Sequence, residues 1–183
     1  PMHRPGAVLV GSHVQKSTQQ LNELLTQSSS ITRIEVDVAR IRNGEEDAML
    51  QEIIRKSQEA HSSGQHLVIY TTRIELIFSD VEERLHFGEK VSLFLMNVVR
   101  NLPTTLGFLI SKGGITSNDV LSIGLSLDSC RVLGQILPGC SVVRCPETHP
   151  RYPLMPVVIF PGNVGDSQGL STVFQRMTKI TTD

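Results

Sequence analysis

The chain has 183 residues, a formal net charge of -1 and an apolar content of 39%, values that are ordinary for one globular domain. This charge offers no basic surface for nucleic acid, and no apolar run is long enough to cross a bilayer. We therefore expect one domain, residues 1–183, with no nucleic-acid or membrane partner.

The cysteines and the first residues indicate the cellular setting. The three cysteines, Cys130, Cys140 and Cys145, leave an odd count, and a bridge between the first two is conceivable because they flank a predicted hairpin. Reduced thiols in a cytoplasmic protein are favoured, and no apolar region of a signal peptide stands near the start. Because Pro1 precedes Met2, we expect a piece of a longer polypeptide, although a cloning scar would look the same.

The first part of the chain predicts alternating strands and helices. Residues 7–10 predict a buried strand that leaves through Gly11-Ser12 into a helix with a leucine stripe. Alternation of apolar and polar residues over 31–38 predicts a half-exposed strand near an edge of the sheet. Acidic residues at 45–47 then open a helix that extends to about residue 61.

The next unit has an unusually long connection. Residues 67–71 predict a buried strand, and the mixed segment 72–88 that follows is typical of a lid or a partner surface, with part of it helical. A helix is predicted over 89–102, and Pro103 ends it.

An apolar run at 106–110 predicts another buried strand, after which the chain turns through Gly113-Gly114. We expect a helix to restart at Thr116, with Thr116 or Ser117 as its N-cap. Paired glycines allow a tight turn and let a bulky anion approach their N–H groups, and Lys112 adds a full positive charge. A plain turn without a ligand is the alternative here.

The remainder of the chain predicts a hairpin and a last strand–helix unit. Residues 130–145 predict a β-hairpin with Pro138-Gly139 at its turn. Residues 157–160 predict a buried strand, which leaves through the glycine-rich segment 161–166 into a closing helix over 168–178.

Three apolar strands therefore leave through small residues into helices, at Gly11-Ser12, Gly113-Gly114 and Gly162 to Gly165. Strands that alternate with helices predict an α/β domain of three layers, with a mainly parallel or mixed sheet and helices on both faces. Ligands of such sheets bind beyond the carboxyl ends of the strands, where the three exits would converge.

The chemistry of these exits favours a phosphate-bearing ligand, because they offer N–H groups, hydroxyls and one or two cations. The Gly-x4-Gly-Lys-Ser/Thr and Gly-x-Gly-x-x-Gly fingerprints and the Gly-x-Ser-x-Gly elbow are absent from the sequence, and no catalytic triad or carboxylate pair can be defended from spacing. The residues alone thus indicate an α/β domain that binds a phosphorylated small molecule, with its catalytic residues unknown.

Three segments together resemble a known family. Residues 110–120 (ISKGGITSNDV), 134–139 (GQILPG) and 158–166 (VIFPGNVGD) are similar, in order and spacing, to the C-terminal nucleotide-binding domain of the four-carbon acid sugar kinase family. The resemblance covers nearly the whole chain, from residue 8 to the last helix. It implies a two-domain kinase in which this domain binds ATP, while an N-terminal domain, absent here, binds the acid sugar and supplies the base.

By position, the resemblance assigns the nucleotide contacts to the three exits. Many relatives carry Thr-Gly-Gly-Asp/Glu-Thr at the second exit, and this chain has an isoleucine in place of the acid, which removes a candidate magnesium or ribose contact. The choice between Gly162 and Gly165 in the last loop stays open. The implied nucleotide-binding residues are Ser12, Lys112, Gly113, Gly114, Ile115, Thr116, Gly162, Asn163 and Gly165.

Phosphoryl transfer from ATP also implies Mg²⁺. Asp119 and Asp166 are the carboxylates nearest to the glycine segments, so they are the candidate ligands, directly or through water. The alternatives are a solvated acid in the first helical turn for Asp119 and a helix N-cap for Asp166.

Two other functions stay open. The Ser-Lys-Gly-Gly-Ile-Thr version of the second exit resembles family members that are fused to dehydrogenase-like and aldolase-like domains. In such a fusion the domain could be a non-catalytic regulatory or interaction module, as the missing loop acid suggests. An enzyme of another class, such as an isomerase that binds phosphosugars, is the further alternative.

Overall fold

The computed structural model describes residues 4–27, 30–73 and 76–180. Within these ranges the strands are β1 (Ala7–Val10), β2 (Ile31–Val36), β3 (His66–Thr71), β4 (Leu109–Lys112), β5 (Arg131–Leu137), β6 (Cys140–Arg144) and β7 (Pro156–Phe160). The helices are α1 (Gln15–Gln27), α2 (Val38–Arg42), α3 (Glu46–Ser62), α4 (Val81–Arg100), α5 (Gly114–Asp119), which continues as a π-helical turn (Val120–Gly124), and α6 (Gly169–Ile180).

The strands form a single mixed sheet in the order β2-β3-β1-β4-β7-β6-β5. The five strands β2, β3, β1, β4 and β7 are parallel to one another. At the centre of the sheet, Val8 of β1 pairs with Ile110 of β4, which pairs with Val158 of β7. The β5–β6 hairpin adds two antiparallel strands at one edge, and β2 forms the other edge. The predicted α/β fold is confirmed, including the hairpin within 130–145 and an edge strand near 31–38.

Helices cover both faces of the sheet because the central strands bury side chains in both directions. On β1, Leu9 belongs to a core that includes Ile53 of α3, whereas Val10 belongs to a second core that includes Leu24 of α1 and Phe174 of α6. The helices therefore form a layer on each side of the sheet. The carboxyl ends of the inner strands β1, β4 and β7 lie side by side, because these strands are parallel.

Two predicted boundaries differ from the observed ones. β4 spans residues 109–112 rather than 106–110, because Ser111 and Lys112 continue the ladder with β7. The helix predicted from residue 89 begins at residue 81, since the Asp80 carboxylate accepts a hydrogen bond from the N–H of Glu83 and caps it.

Two short helical features were also not predicted correctly. The five-residue helix α2 had no prediction, and Asp37 caps it by accepting a hydrogen bond from the N–H of Ala39. Helix α5 begins at Gly114 after an N-cap at Gly113, so the prediction that Thr116 or Ser117 caps this helix is wrong. The Ser117 hydroxyl instead donates to the carbonyl of Ser111 at 2.9 Å.

The three cysteines are free thiols, as favoured from the sequence. Burial raises the pKa of Cys140 and of Cys145 to about 11, which keeps both thiols protonated at neutral pH. Among the described residues, no helix has the length and apolar character needed to span a membrane.

Candidate functional site

A cleft of about 600 Å³ opens at the carboxyl ends of β1, β4 and β7. Its walls come from the loops that follow these three strands and from one side of α4, so the three small-residue exits do converge. The residues that line it are Gly11, Ser12, His13, Val14, Gly88, Val91, Ser92, Leu95, Gly113, Gly114, Ile115, Thr116, Pro161, Gly162 and Asn163.

The loops after β1 and β4 are in direct contact. A Cβ atom at Gly11 would lie 2.5 Å from Thr116 Oγ1, so only glycine lets the Thr116 side chain pack onto the end of β1. Gly113 has a φ of +127°, a conformation that strains other residues, and a Cβ atom there would lie 3.0 Å from the Cβ of Ser12. These two glycines bring the two loop backbones together.

Gly114 has a different environment. No atom lies within 4 Å of the position that its Cβ would occupy, and its φ is not positive, because it is the first residue of α5. The neighbouring Ile115 side chain is 80% exposed. The left-handed residue of this turn is therefore Gly113, and the backbone at Gly114 is open to a ligand.

The loop after β7 meets the loop after β1 at Ser12. A Cβ atom at Gly162 would lie 3.3 Å from Ser12 Oγ, and the Ser17 hydroxyl donates to the same oxygen at 3.1 Å. Gly165 lies behind the loop, where a Cβ atom would be 3.2 Å from Gln20 Nε2. Of the two glycines left open by the resemblance, Gly162 is the one that lines the cleft.

Lys112 lies beneath the cleft rather than in it. Its side chain is fully buried, and its ammonium group donates to the carbonyl oxygens of Pro161, at 2.8 Å, and Gly162, at 3.1 Å. The ammonium nitrogen also lies 4.0 Å from the centroid of the Phe160 ring. Burial lowers the pKa of Lys112 to about 8. Lys112 thus holds the loop after β7 from below, which its place before the glycines did not predict.

Two further cations hold loop carbonyls in the same way. The Arg73 guanidinium, which follows β3, donates to the carbonyl of Val10 at 3.2 Å and to that of Ser12. The Lys16 ammonium on α1 donates to the carbonyl of Asn163 at 3.1 Å. Sequence reasoning missed Arg73 because it stands in the long connection, and its one signal was its place directly after a parallel strand.

Three cations thus surround the loops of the cleft, and Glu35 is near enough to Arg73 to act on its charge. Among residues 4–27, 30–73 and 76–180, no carboxylate lies within 4 Å of the charged groups of Lys16, Arg73 or Lys112. Because these cations occupy loop carbonyls from behind, the backbone groups left for a ligand are mainly N–H groups. Both features favour an anion in the cleft.

The two candidate magnesium ligands do not line the cleft. Asp119 accepts a hydrogen bond from the hydroxyl of Ser92, so it lies behind the wall that Ser92 forms. Asp166 accepts a hydrogen bond from the N–H of Gln168 at 3.0 Å, just before α6, which is the role of a helix cap. In the part of the chain that the structure describes, no three His, Cys, Asp or Glu side chains could hold a metal ion together. These carboxylates do not form a magnesium site by themselves, and their role with ATP stays a prediction.

Residues 7–170 match the family model described as the nucleotide-binding C-terminal domain. The chain belongs to this family. The matched range contains all seven strands and every residue that lines the cleft. The cleft of this nucleotide-binding domain therefore lies wholly within the part that defines the family. A search of curated proteins gave no match.

Solved structures with the fold of this nucleotide-binding domain come from longer proteins. A Bordetella bronchiseptica protein, described as a domain of unknown function (DUF1537) with bound citrate in a domain-swapped dimer, has a TM-score of 0.72 and 19% identity, over 95% of this chain and 41% of its own. A Salmonella typhimurium LT2 protein, provisionally named a tRNA synthase, has a TM-score of 0.66 and 20% identity, over 94% of this chain and 40% of its own. At these identities the likeness shows the fold alone, and the chain spans about two fifths of each protein.

Proposed function

We propose that this chain is the ATP-binding domain of a kinase that phosphorylates four-carbon acid sugars, whose acid-sugar domain belongs to another part of the polypeptide. The observation that carries the proposal is the set of three cations around the cleft, Lys16, Arg73 and Lys112, which hold the carbonyls of its loops with no described carboxylate within 4 Å of their charges. A polyphosphate is a ligand that would balance this charge. The resemblance of the three exits to the kinase family supplies the substrate class.

In this proposal, the backbone N–H groups of Gly114 and Ile115 bind phosphate oxygens, and the Ser12 hydroxyl donates to one of them, while the N–H of Gly113 stays bonded to the carbonyl of Phe160. Lys112 and Arg73 position the loops and add positive charge below the phosphates. Phosphoryl transfer depends on positioning and charge neutralisation more than on covalent chemistry by the protein. A domain without a catalytic base can therefore supply the ATP half of the reaction, and no base is assigned to this chain.

Magnesium enters the proposal as the ion that accompanies ATP. Mg²⁺ in phosphate-binding sites commonly keeps several waters and takes phosphate oxygens with one or two carboxylates. Asp119 is hydrogen-bonded to Ser92 of the cleft wall, so it is the carboxylate that a water-mediated contact would use.

Calorimetric titration with Mg·ATP tests the nucleotide half of the proposal. We expect saturable binding and a rise in melting temperature that grows with ATP concentration, because the ligand binds only the folded state. Lys56→Ala on the exposed side of α3 is the control and should bind ATP like the parent. No binding of ATP at millimolar concentration would contradict the proposal.

Assays of a longer polypeptide that contains this chain test the substrate class. We expect ATP-dependent phosphorylation of a four-carbon acid such as erythronate or threonate, and no phosphorylation by the Gly114→Val variant. ATP binding without phosphorylation of any four-carbon acid would keep the nucleotide site and remove the proposed substrate.

One observation favours a second function, that of a non-catalytic module in a fusion protein. The Ile115 side chain is apolar and 80% exposed at the position where many relatives carry an acid. A module of this kind would bind no ATP in the titration above. An isomerase-like enzyme would instead bind a sugar phosphate and not ATP, so the same calorimetry with both ligands separates the three functions.

A further inference from the structure

A second compartment of about 300 Å³ adjoins the cleft. Gly11, His13, Gly88 and Val91 line both cavities, so a ligand can extend from one into the other. His13 Nε2 lies 2.9 Å from the hydroxyl of Thr71, and burial together with the Arg73 charge lowers the pKa of this imidazole.

The walls of the second compartment differ from those of the cleft. The rings of Phe78 and Phe87 have centroids 5.4 Å apart and planes inclined by 41°, and Leu76 and Val38 add aliphatic surface. The Arg42 guanidinium lies 5.2 Å from the Phe78 centroid, so Phe87 is the ring that offers a face to a ligand. Arg84 also lines this compartment, and its guanidinium has no hydrogen bond or ion pair with any residue that the structure describes. The compartment thus combines aromatic surface with the N–H donors of one guanidinium, that of Arg84.

Gly88 separates the two cavities and has no packing role. It lies inside helix α4, where glycine is less favourable than alanine, and no atom lies within 4 Å of the position that its Cβ would occupy. Neither helix stability nor packing explains this glycine. A ligand that passes over the helix at this point does explain it, because any side chain would stand in its path.

We infer that the second compartment binds the base of the nucleoside triphosphate, with the ribose crossing over Gly88. The inference rests on the proposed function, since the phosphates are placed in the cleft. Planar bases stack on aromatic side chains, and a guanidinium can donate to base nitrogen or oxygen atoms. A cavity of this size is within the range of pockets that bind small molecules.

Paired titrations with ATP and inorganic tripolyphosphate test the inference, because only ATP carries a base. For Gly88→Leu we expect at least a tenfold loss of ATP affinity, a clearly smaller loss of tripolyphosphate affinity, and a melting temperature that is equal or higher. Glu89→Leu is the matched control, because it puts the same side chain one residue along α4 at a position that lines neither cavity. It should bind both ligands like the parent.

The outcomes separate this inference from the proposed function. Parent-like ATP binding by a folded Gly88→Leu variant, or equal losses for both ligands, would overturn the base compartment and leave the phosphate site standing. A parent that binds neither ligand would overturn the proposed function itself. Adenosine competition with the parent needs no variant: adenosine should weaken apparent ATP binding, and no competition at millimolar adenosine would overturn the inference.

Discussion

Among single residues, Gly114 offers the most direct test of the cleft. Its Cβ position faces open space and its φ is not left-handed, so Gly114→Val adds a branched side chain over the loop N–H groups with little backbone strain. We expect ATP affinity to fall at least tenfold, or about 1.4 kcal/mol, while the melting temperature changes by only a few degrees.

Calorimetry with melting curves for the parent and the variant checks this prediction. Lys56→Ala serves again as the control, because it lies on α3 away from the cleft. A folded Gly114→Val variant with unchanged affinity would mean that the glycine turn is only a connection between β4 and α5.

Lys112 links pH to stability and to binding with opposite signs. Because burial lowers its pKa from 10.5 to about 8, the unfolded chain binds more protons between these two values. The contribution of Lys112 to the free energy of unfolding should therefore rise as the pH increases from about 8 to 10.5. The raised pKa values of Cys140 and Cys145 act in the opposite direction above pH 9, so the Lys112 contribution is measured as the difference between the parent and a variant without this amine. ATP affinity should fall over the same range, since the cleft floor loses a positive charge.

Denaturant titrations and calorimetry between pH 7 and 10 measure both trends. We expect Lys112→Met to remove the rise in stability between pH 8 and 9 and the fall in ATP affinity, while the decrease in stability caused by Cys140 and Cys145 above pH 9 remains. Lys56→Ala should behave like the parent at every pH. An ATP affinity that stays constant across this range in the parent would mean that the Lys112 charge does not act on the ligand.

At the scale of secondary-structure elements, the exits of β1, β4 and β7 could be predicted because each follows an apolar run with small residues. The role of Lys112 could not, since it depends on the pairing of β4 with β7, which lie far apart in the chain. The early start of α4 could not either, because its first turns show no buried stripe: Val81 is 62% and Leu85 61% exposed. What sets that start is the single cap at Asp80.

The cap of α4 gives a prediction at this scale. Asp80→Ala removes the hydrogen bond to the N–H of Glu83, so we expect the free energy of unfolding to fall by about 1 kcal/mol. We also expect faster amide exchange over residues 81–88, because this end of the helix is largely exposed. Hydrogen exchange followed by mass spectrometry measures the effect, and His86→Ala, an exposed change on the same helix, should leave the exchange rates unaltered.

For the whole molecule, the layered α/β architecture could be predicted from the alternation of strands and helices, but the strand order could not, because periodicity does not report which strands are neighbours. The compartment proposed for the base could not be predicted from the sequence either. Its Phe78 and Phe87 meet across the cap of α4, in a segment that the sequence identifies only as a long connection.

The proposed division of labour predicts the behaviour of this chain alone. Because the acid-sugar pocket and the base are assigned elsewhere, the 183-residue chain should bind ATP and phosphorylate no four-carbon acid. Mass spectrometry of reactions with erythronate and threonate, with and without the remainder of the polypeptide, measures this. Sustained phosphorylation by this chain alone would place the acid pocket and the base within it.

Both ends of the described chain lie at the edge of the sheet opposite the cleft. The carbonyl of Pro5 accepts a hydrogen bond from the N–H of Gly107, ahead of β4, and Ile180 lines the same cavity as Pro156, the first residue of β7. A tag or biosensor surface attached at either end would therefore hold the domain with its cleft turned toward the solution. Immobilised domain should then report the same ATP affinity as free domain, whichever end is tethered.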